Sequence, residues 1–320
     1  MKLFVSLLCI HIAVALLALR NESALPIVLW HGLGDTCCLP ISTGVLRLFL
    51  YGKIKNIHVI SIDTSSDSII SLQDSYFLNP NQQVDYACVV LREDKNLRNG
   101  FNVIGLGQGS LFLRAVIQRC GHKLPPIKNY ISFGGPQQGI SGLPYCTAVS
   151  HQTCSSMREL LEFAPYHYMT QHAILPATYW HDPLRNEDYK KRSTFLSDIN
   201  NEEVINELYR SNLKQLQRFI MVKFKNESVI QPPESAWFGY YTPGQKKELQ
   251  TLQQSSIYLE DRLGLQEMDK AGKLIFLTHP NQHLEFDELW LLENIVPYLV
   301  DKRNNGTSAD VLINIKIDTN

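Results

Sequence analysis

Phe101-Asn-Val-Ile104 reads as a strand, runs into Gly105-Leu-Gly-Gln-Gly-Ser110 and continues as a helical stretch from Leu111 to Cys120. Strand, glycine-rich turn and helix in that order are the local plan of a nucleophile elbow, in which the middle residue of G-x-S-x-G sits on a sharp turn and presents a hydroxyl to a carbonyl carbon. The middle position here is Gly107, which has no hydroxyl. The chemistry implied is acyl transfer, and the atom that would perform the attack is missing. The same glycines fit the first two positions of the dinucleotide fingerprint G-x-G-x-x-G, with Ser110 at the third. That fingerprint expects an acidic residue about twenty positions further on for the ribose. No Asp or Glu occurs between Asp94 and Glu159, which argues against a dinucleotide site.

An elbow works only at the top of a sheet, so strands and helices must surround it. Pro26 to Trp30, Ile57 to Ile62, Phe101 to Leu106 and Tyr130 to Phe133 are short, apolar and bounded as buried strands are, and Phe219 to Phe224 and Leu274 to Leu277 follow late in the chain. Between them, Val84, Ala87, Cys88 and Leu91 fall at i, i+3, i+4 and i+7 within an expected helix over 81–98; a terminal helix is expected over 284–299. Strands alternating with helices imply an α/β fold, a mostly parallel sheet with helices on both faces. From about residue 135 to 213 the strand rhythm stops, which marks a mostly helical insertion over the sheet's carboxyl edge, where α/β proteins bind ligands.

The chain has 320 residues, 44% of them hydrophobic, enough for one large core. Its formal net charge of -1 argues against a nucleic-acid partner, which would need clustered Lys and Arg. Residues 1–19 read as a signal peptide: an apolar run from Leu3 to Leu19 follows Lys2, with small residues at Ala13, Ala15 and Ala18. No other segment reads as a membrane span. Six cysteines remain after that signal, Cys37, Cys38, Cys88, Cys120, Cys146 and Cys154, an even count that favours disulfides in the secretory pathway and leaves the pairing open. Sequons at Asn21, Asn226 and Asn305 point to the same compartment, no C-x-x-C unit suggests zinc, and the tail over 301–320 is polar.

Taken with the elbow, Trp30-His-Gly-Leu-Gly-Asp-Thr-Cys-Cys38, Phe112-Leu-Arg-Ala-Val-Ile-Gln-Arg-Cys120, Tyr179-Trp-His-Asp-Pro183, Trp237-Phe-Gly-Tyr-Tyr241 and Asp261-Arg-Leu-Gly-Leu265 closely resemble the lysosomal palmitoyl-protein thioesterase family, over about residues 25–300. The resemblance implies an α/β-hydrolase with a helical insertion, no cofactor and no metal. It also implies removal of fatty acyl groups from cysteine thioesters in acylated proteins or peptides, in the lysosome or after secretion. Its disulfides would pair Cys37 with Cys38, Cys88 with Cys120 and Cys146 with Cys154. The family's serine falls on Gly107, its acid on Gln231 in Ile230-Gln-Pro232, and its histidine is kept as His283. The oxyanion-hole donors fall on the backbone N–H groups of Leu33 and Gln108.

In such a triad the histidine takes the serine proton, the acid fixes the histidine tautomer, and backbone donors stabilise the tetrahedral oxyanion. Loss of the nucleophile in a comparable protease costs about a million-fold in turnover, roughly 8 kcal/mol of barrier. The expected function is therefore a catalytically inactive or strongly impaired homologue that binds fatty-acyl thioester peptides or lipids; the alternatives are a working palmitoyl-protein hydrolase and a scaffold whose groove is filled. Candidate substitutes are Ser110, one helical turn past Gly107, and Glu234, three residues past Gln231. His279 with His283 lacks the acidic or thiolate ligands of a metal pair, and His31 reads as a structural hydrogen-bond donor.

Overall fold

The computed structural model describes residues 24–37, 42–65, 67–143 and 149–300. Six parallel strands form one sheet in the order β2-β1-β3-β4-β5-β8, from β1 (Ile27–Trp30), β2 (Val59–Ile62), β3 (Phe101–Leu106), β4 (Ile127–Phe133), β5 (Arg218–Asn226) and β8 (Leu274–Gln282). A small antiparallel ribbon pairs β6 (Tyr240–Tyr241) with β7 (Leu249–Gln250). The helices are α1 (Ser42–Lys53), α2 (Ser68–Phe77), α3 (Pro80–Glu93), α4 (Gln108–Cys120), α5 (His151–Phe163), α6 (Tyr168–Ala173), α7 (Asn186–Arg192), α8 (Leu196–Ile199), α9 (Glu207–Lys214), α10 (Ser256–Leu259), α11 (Leu265–Lys270), α12 (Glu288–Asn294) and α13 (Val296–Leu299).

Strand alternation divides the core in two, because successive side chains leave a strand on opposite faces. Val28, Trp30, Val103, Tyr130, Phe219 and Met221 pack on one face with residues of α3 and α4. Ile27, Leu29, Ile104, Ile131, Ile220 and Val222 pack on the other with Leu46 and Leu50 of α1 and with Leu291, Val296 and Leu299 of α12 and α13. Both faces are covered, so these strands are mostly apolar on both sides, with polar interruptions such as Asn102 in β3 and Ser132 in β4.

The structure departs from expectation late in the chain. β8 continues past Leu277 to Gln282, its register with β5 carrying Phe224 opposite His279 and, after a shift, Asn226 opposite Gln282. Those last five residues are polar or proline, and backbone pairing rather than an apolar pattern extends the strand. The helix expected over 284–299 is two pieces: Asp287 caps α12 by accepting the Trp290 N–H, and Pro297, which lacks an N–H, restarts the chain as α13. The helix expected over 81–98 ends at Glu93 and is followed by a short turn capped by Asp94.

Between β4 and β5 the described chain is helical, α5 to α9 with short 3-10 turns, tied to α4 by buried polar contacts. Arg114, fully buried on α4, donates from Nη1 to the Ile199 carbonyl at 3.1 Å and from Nη2 to the Gln137 carbonyl at 3.0 Å and to Asn200 Oδ1 at 2.7 Å. Burial pulls its guanidinium down to about 10, which still leaves it charged at neutral pH. Gln118 Nε2 adds a bond to the Ile199 carbonyl at 2.7 Å, and Asn212 Nδ2 reaches the Gln118 carbonyl at 2.9 Å. The helix behind the elbow is thus clamped between sheet and insertion. Cys88 of α3 is bonded to Cys120 of α4. Cys37 and Cys154 are disulfide-bonded too, while Cys38 and Cys146, the partners expected for them, lie outside the described residues. So do residues 1–19, the polar tail, Asn21 and Asn305.

Candidate active site

Gly107 stands between β3 and α4 with φ +51° and ψ −122°, backbone angles that suit glycine and that a side chain occupies only under strain. Its N–H donates to the Phe133 carbonyl at 2.9 Å, and its carbonyl accepts the Ser110 N–H at 3.1 Å. At Gly109 a Cβ would run into the Trp30 and His31 carbonyls, so helix α4 leaves the turn pressed against β1. The turn has the elbow's form with glycine at its vertex. A Cβ built on Gly107 would lie 3.4 Å from His283 Nε2 and 3.8 Å from Gly32 Cα. A hydroxyl carried on such a Cβ falls within hydrogen-bond reach of the imidazole.

His283 follows β8 and is mostly covered, its side chain 11% exposed, with Phe224 of β5 beside the ring. Its Nδ1 meets Glu227 Oε2 at 2.7 Å, and the Glu227 side chain is 1% exposed. The other oxygen, Oε1, accepts the N–H groups of Val229 at 2.8 Å and Ile230 at 3.0 Å. A buried carboxylate held by two backbone donors can only accept from Nδ1–H. That fixes the tautomer and leaves the lone pair on Nε2, which faces Gly107.

This corrects the acid position. The carboxylate at His283 is Glu227, one residue past the end of β5, and not residue 231. Gln231 is exposed; its side chain lies over Gly142 and its carbonyl accepts the Ser141 N–H at 2.8 Å. The sequon Asn226-Glu-Ser hid Glu227, because the asparagine claimed the motif. The available signal was an acid at the carboxyl end of a strand, where α/β sites assemble. Asn226 itself is exposed.

Neither substitute reaches the imidazole. Ser110 is fully buried beneath the turn, its Cβ against Gly135, and its Oγ has no hydrogen-bond partner among the described residues. Glu234 pairs with Lys223 at 3.5 Å. His279 is engaged in the β8–α12 turn, with the Asn281 N–H 3.2 Å from Nδ1 and the Asp287 N–H 3.3 Å from Nε2, one of which a neutral ring can accept, and it packs edge-on to Trp290 at 4.6 Å. His31 contacts the Gly32 carbonyl through Nδ1 at 3.0 Å.

Leu33 and Gln108 flank Gly107 on the β1 loop and the first position of α4, where a helical N–H has no partner within the helix. One residue that the sequence did not single out holds both segments. Ser75 of α2 accepts the Gly34 N–H through Oγ at 3.0 Å, and its carbonyl accepts Gln108 Nε2 at 2.9 Å. Tyr179 completes the Gln108 amide by donating to Oε1 at 3.1 Å; burial pushes that phenol's pKa up and keeps it a donor. A base beside a cleared vertex can accept a proton from whatever attacks a carbonyl held there.

A parallel sheet with an elbow after β3, and a histidine paired to a carboxylate after β8 and β5, define an α/β-hydrolase. The chain belongs to the palmitoyl-protein thioesterase family, whose model matches residues 26–283. It is 37% identical to palmitoyl-protein thioesterase 1 of Caenorhabditis elegans over 92% of this chain and 98% of that one, and 35% identical to palmitoyl-protein thioesterase 3 of Dictyostelium discoideum over 87% and 90%. A lysosomal thioesterase PPT2 homolog of Drosophila melanogaster is 28% identical over 81% of this chain and 85% of its own. Among solved structures, an extracellular α/β-hydrolase from a Paenibacillus species aligns over 87% of this chain and all of that one, at 13% identity and a TM-score of 0.43.

Proposed function

We propose that this protein is a strongly impaired thioesterase that binds the family's fatty-acylated proteins or peptides, or fatty-acyl lipids, and turns them over at a small fraction of a serine enzyme's rate. The observation that carries the reading is the single gap at Gly107. His283 keeps its carboxylate, and the backbone beside the vertex keeps its elbow angles, so the loss is confined to the nucleophile. Acyl transfer at a histidine–carboxylate pair needs no cofactor, as the family resemblance implies. Entry into the secretory pathway and a lysosomal or secreted location fit the Cys88–Cys120 disulfide, the exposed Asn226 sequon and the relatives named as lysosomal thioesterases. No helix among the described residues is long and apolar enough to cross a membrane.

Thermal denaturation of the full chain with and without a non-cleavable S-hexadecyl thioether peptide tests binding. A saturable rise in melting temperature is expected, since a ligand of the native state alone must stabilise it. A melting temperature unmoved at saturating peptide would put the acyl groove out of use and favour a scaffold.

A further inference from the structure

We propose that Gly107 admits the hydrolytic water itself, so that the Glu227–His283 pair hydrolyses fatty-acyl thioesters slowly, in one displacement and without an acyl-enzyme. The inference rests on the reading that this site binds such thioesters.

Four observations support it. Glu227 spends Oε1 on two backbone donors and Oε2 on His283 Nδ1, which leaves Nε2 as a free base aimed at the vertex. The space that a side chain at 107 would enter is bounded by Nε2 at 3.4 Å and Gly32 Cα at 3.8 Å from the Cβ position. A serine side chain occupies about 30 Å³, the share of one water in the liquid, so the place it would fill has room for one water beside Nε2. The loop that carries Leu33 and the start of α4 at Gln108, next to Gly107, are tied together through Ser75, which accepts the Gly34 N–H at 3.0 Å and Gln108 Nε2 at 2.9 Å.

Glycine differs from alanine in this respect. An alanine would also lack a nucleophile, but its methyl would crowd the water out of line between Nε2 and the carbonyl. Protease variants without the serine gain nothing from their histidine. Here the cleared vertex gives the histidine something to deprotonate.

The step balances without another reactant. The water oxygen bonds to the thioester carbonyl carbon as one of its protons passes to His283 Nε2. The oxyanion so formed faces the backbone donors; the C–S bond then breaks, and the departing thiolate takes the proton back from Nε2. The products are a fatty acid and a free thiol. Glu227 stabilises the transient imidazolium, a task that needs its charge.

The test uses the purified full chain and an S-palmitoyl cysteinyl peptide, with thiol release as the readout and a fluorophosphonate probe as a label for any serine nucleophile. Wild type should release thiol slowly, without a burst and without labelling. His283→Gln and Gly107→Ala should each lower that rate at least tenfold, within the ~10²–10⁴-fold reach of a general base. Gly107→Ser, which imposes the same backbone strain as Gly107→Ala, should instead turn over faster, show a burst and take the label. A wild-type rate untouched by both His283→Gln and Gly107→Ala, with Gly107→Ser active, would overturn the water route and leave the impaired-thioesterase reading standing. A folded Gly107→Ser that neither labels nor turns over would overturn that wider reading instead. Should Gly107→Ala fail to fold, His283→Gln and the pH profile decide: the wild-type rate should follow deprotonation of one group, and a flat profile would sink the proposal.

Discussion

At position 107 the proposed site lacks only a hydroxymethyl group: His283 Nε2 lies 3.4 Å from the place of a Cβ there, and Glu227 Oε2 meets Nδ1 of the same ring at 2.7 Å. Gly107→Ser should therefore raise thioester turnover by several orders of magnitude while lowering stability by about 1–3 kcal/mol, because φ +51° with ψ −122° strains any L side chain. Melting temperature and turnover measured on one preparation check both signs together. In that background Glu227→Gln should cost about 10⁴-fold, the loss seen when a triad acid becomes an amide and the wrong tautomer is held. Gln231→Asp should change turnover little, since its side chain lies over Gly142 and not at the imidazole. The vertex was legible from the spacing of its glycines, and His283 only through the family resemblance. The acid was not, because a carboxylate is selected by where the strand β5 ends in space, and Gln231 and Glu227 are only four positions apart along one loop.

Helix α4 carries the elbow's geometry into the insertion, and Arg114 is its main polar tie. Arg114→Met would take the donor from Asn200 Oδ1 and one of two donors from each of the Gln137 and Ile199 carbonyls, which keep Asn200 Nδ2 and Gln118 Nε2, and should lower unfolding free energy by about 3 kcal/mol in denaturant titrations. A second tie responds to pH. His181 is stacked between Tyr189 at 3.8 Å and Tyr240 at 4.2 Å, with Nδ1 on the Gln138 carbonyl and Nε2 on Asn186 Oδ1; Asp182 and Lys190 lie near enough to act on it in opposite directions. Burial pushes its pKa down to about 4. Between that value and the unfolded value of about 6.5 the unfolded chain binds the extra proton, so stability is fully present above about pH 6.5 and is lost as pH falls towards 4. The loss should amount to about 3 kcal/mol, and His181→Phe, which keeps the stack, should flatten the slope by about one proton. Strands with both faces buried were readable from their apolar runs. The end of β8 and the break before α13 were not, because pairing with β5 and a proline decide them.

At the scale of the molecule, one parallel sheet with two apolar cores is closed over its carboxyl edge by a helical insertion, and α3 is stapled to α4 by Cys88–Cys120. With a sequence separation of 32, that bond restricts the unfolded chain by about 4 kcal/mol in the chain-entropy account, so Cys88→Ala with Cys120→Ala should lower the melting temperature well beyond a surface change. The architecture followed from alternation of strands and helices because each strand had to be covered twice. What converges beyond the sheet joins segments distant in sequence: Ser75 with Gly34 and Gln108 had no local signature, and Glu227 had only its place at the end of a strand to point to His283. The most direct measurement is pre-steady-state hydrolysis of a palmitoyl thioester by Gly107→Ser as the sole substitution. One thiol released per protein in a rapid burst, followed by steady turnover and blocked by fluorophosphonate, is the predicted result. Activity that stays at the wild-type level until Gln231→Asp is added would contradict it and return the acid to position 231.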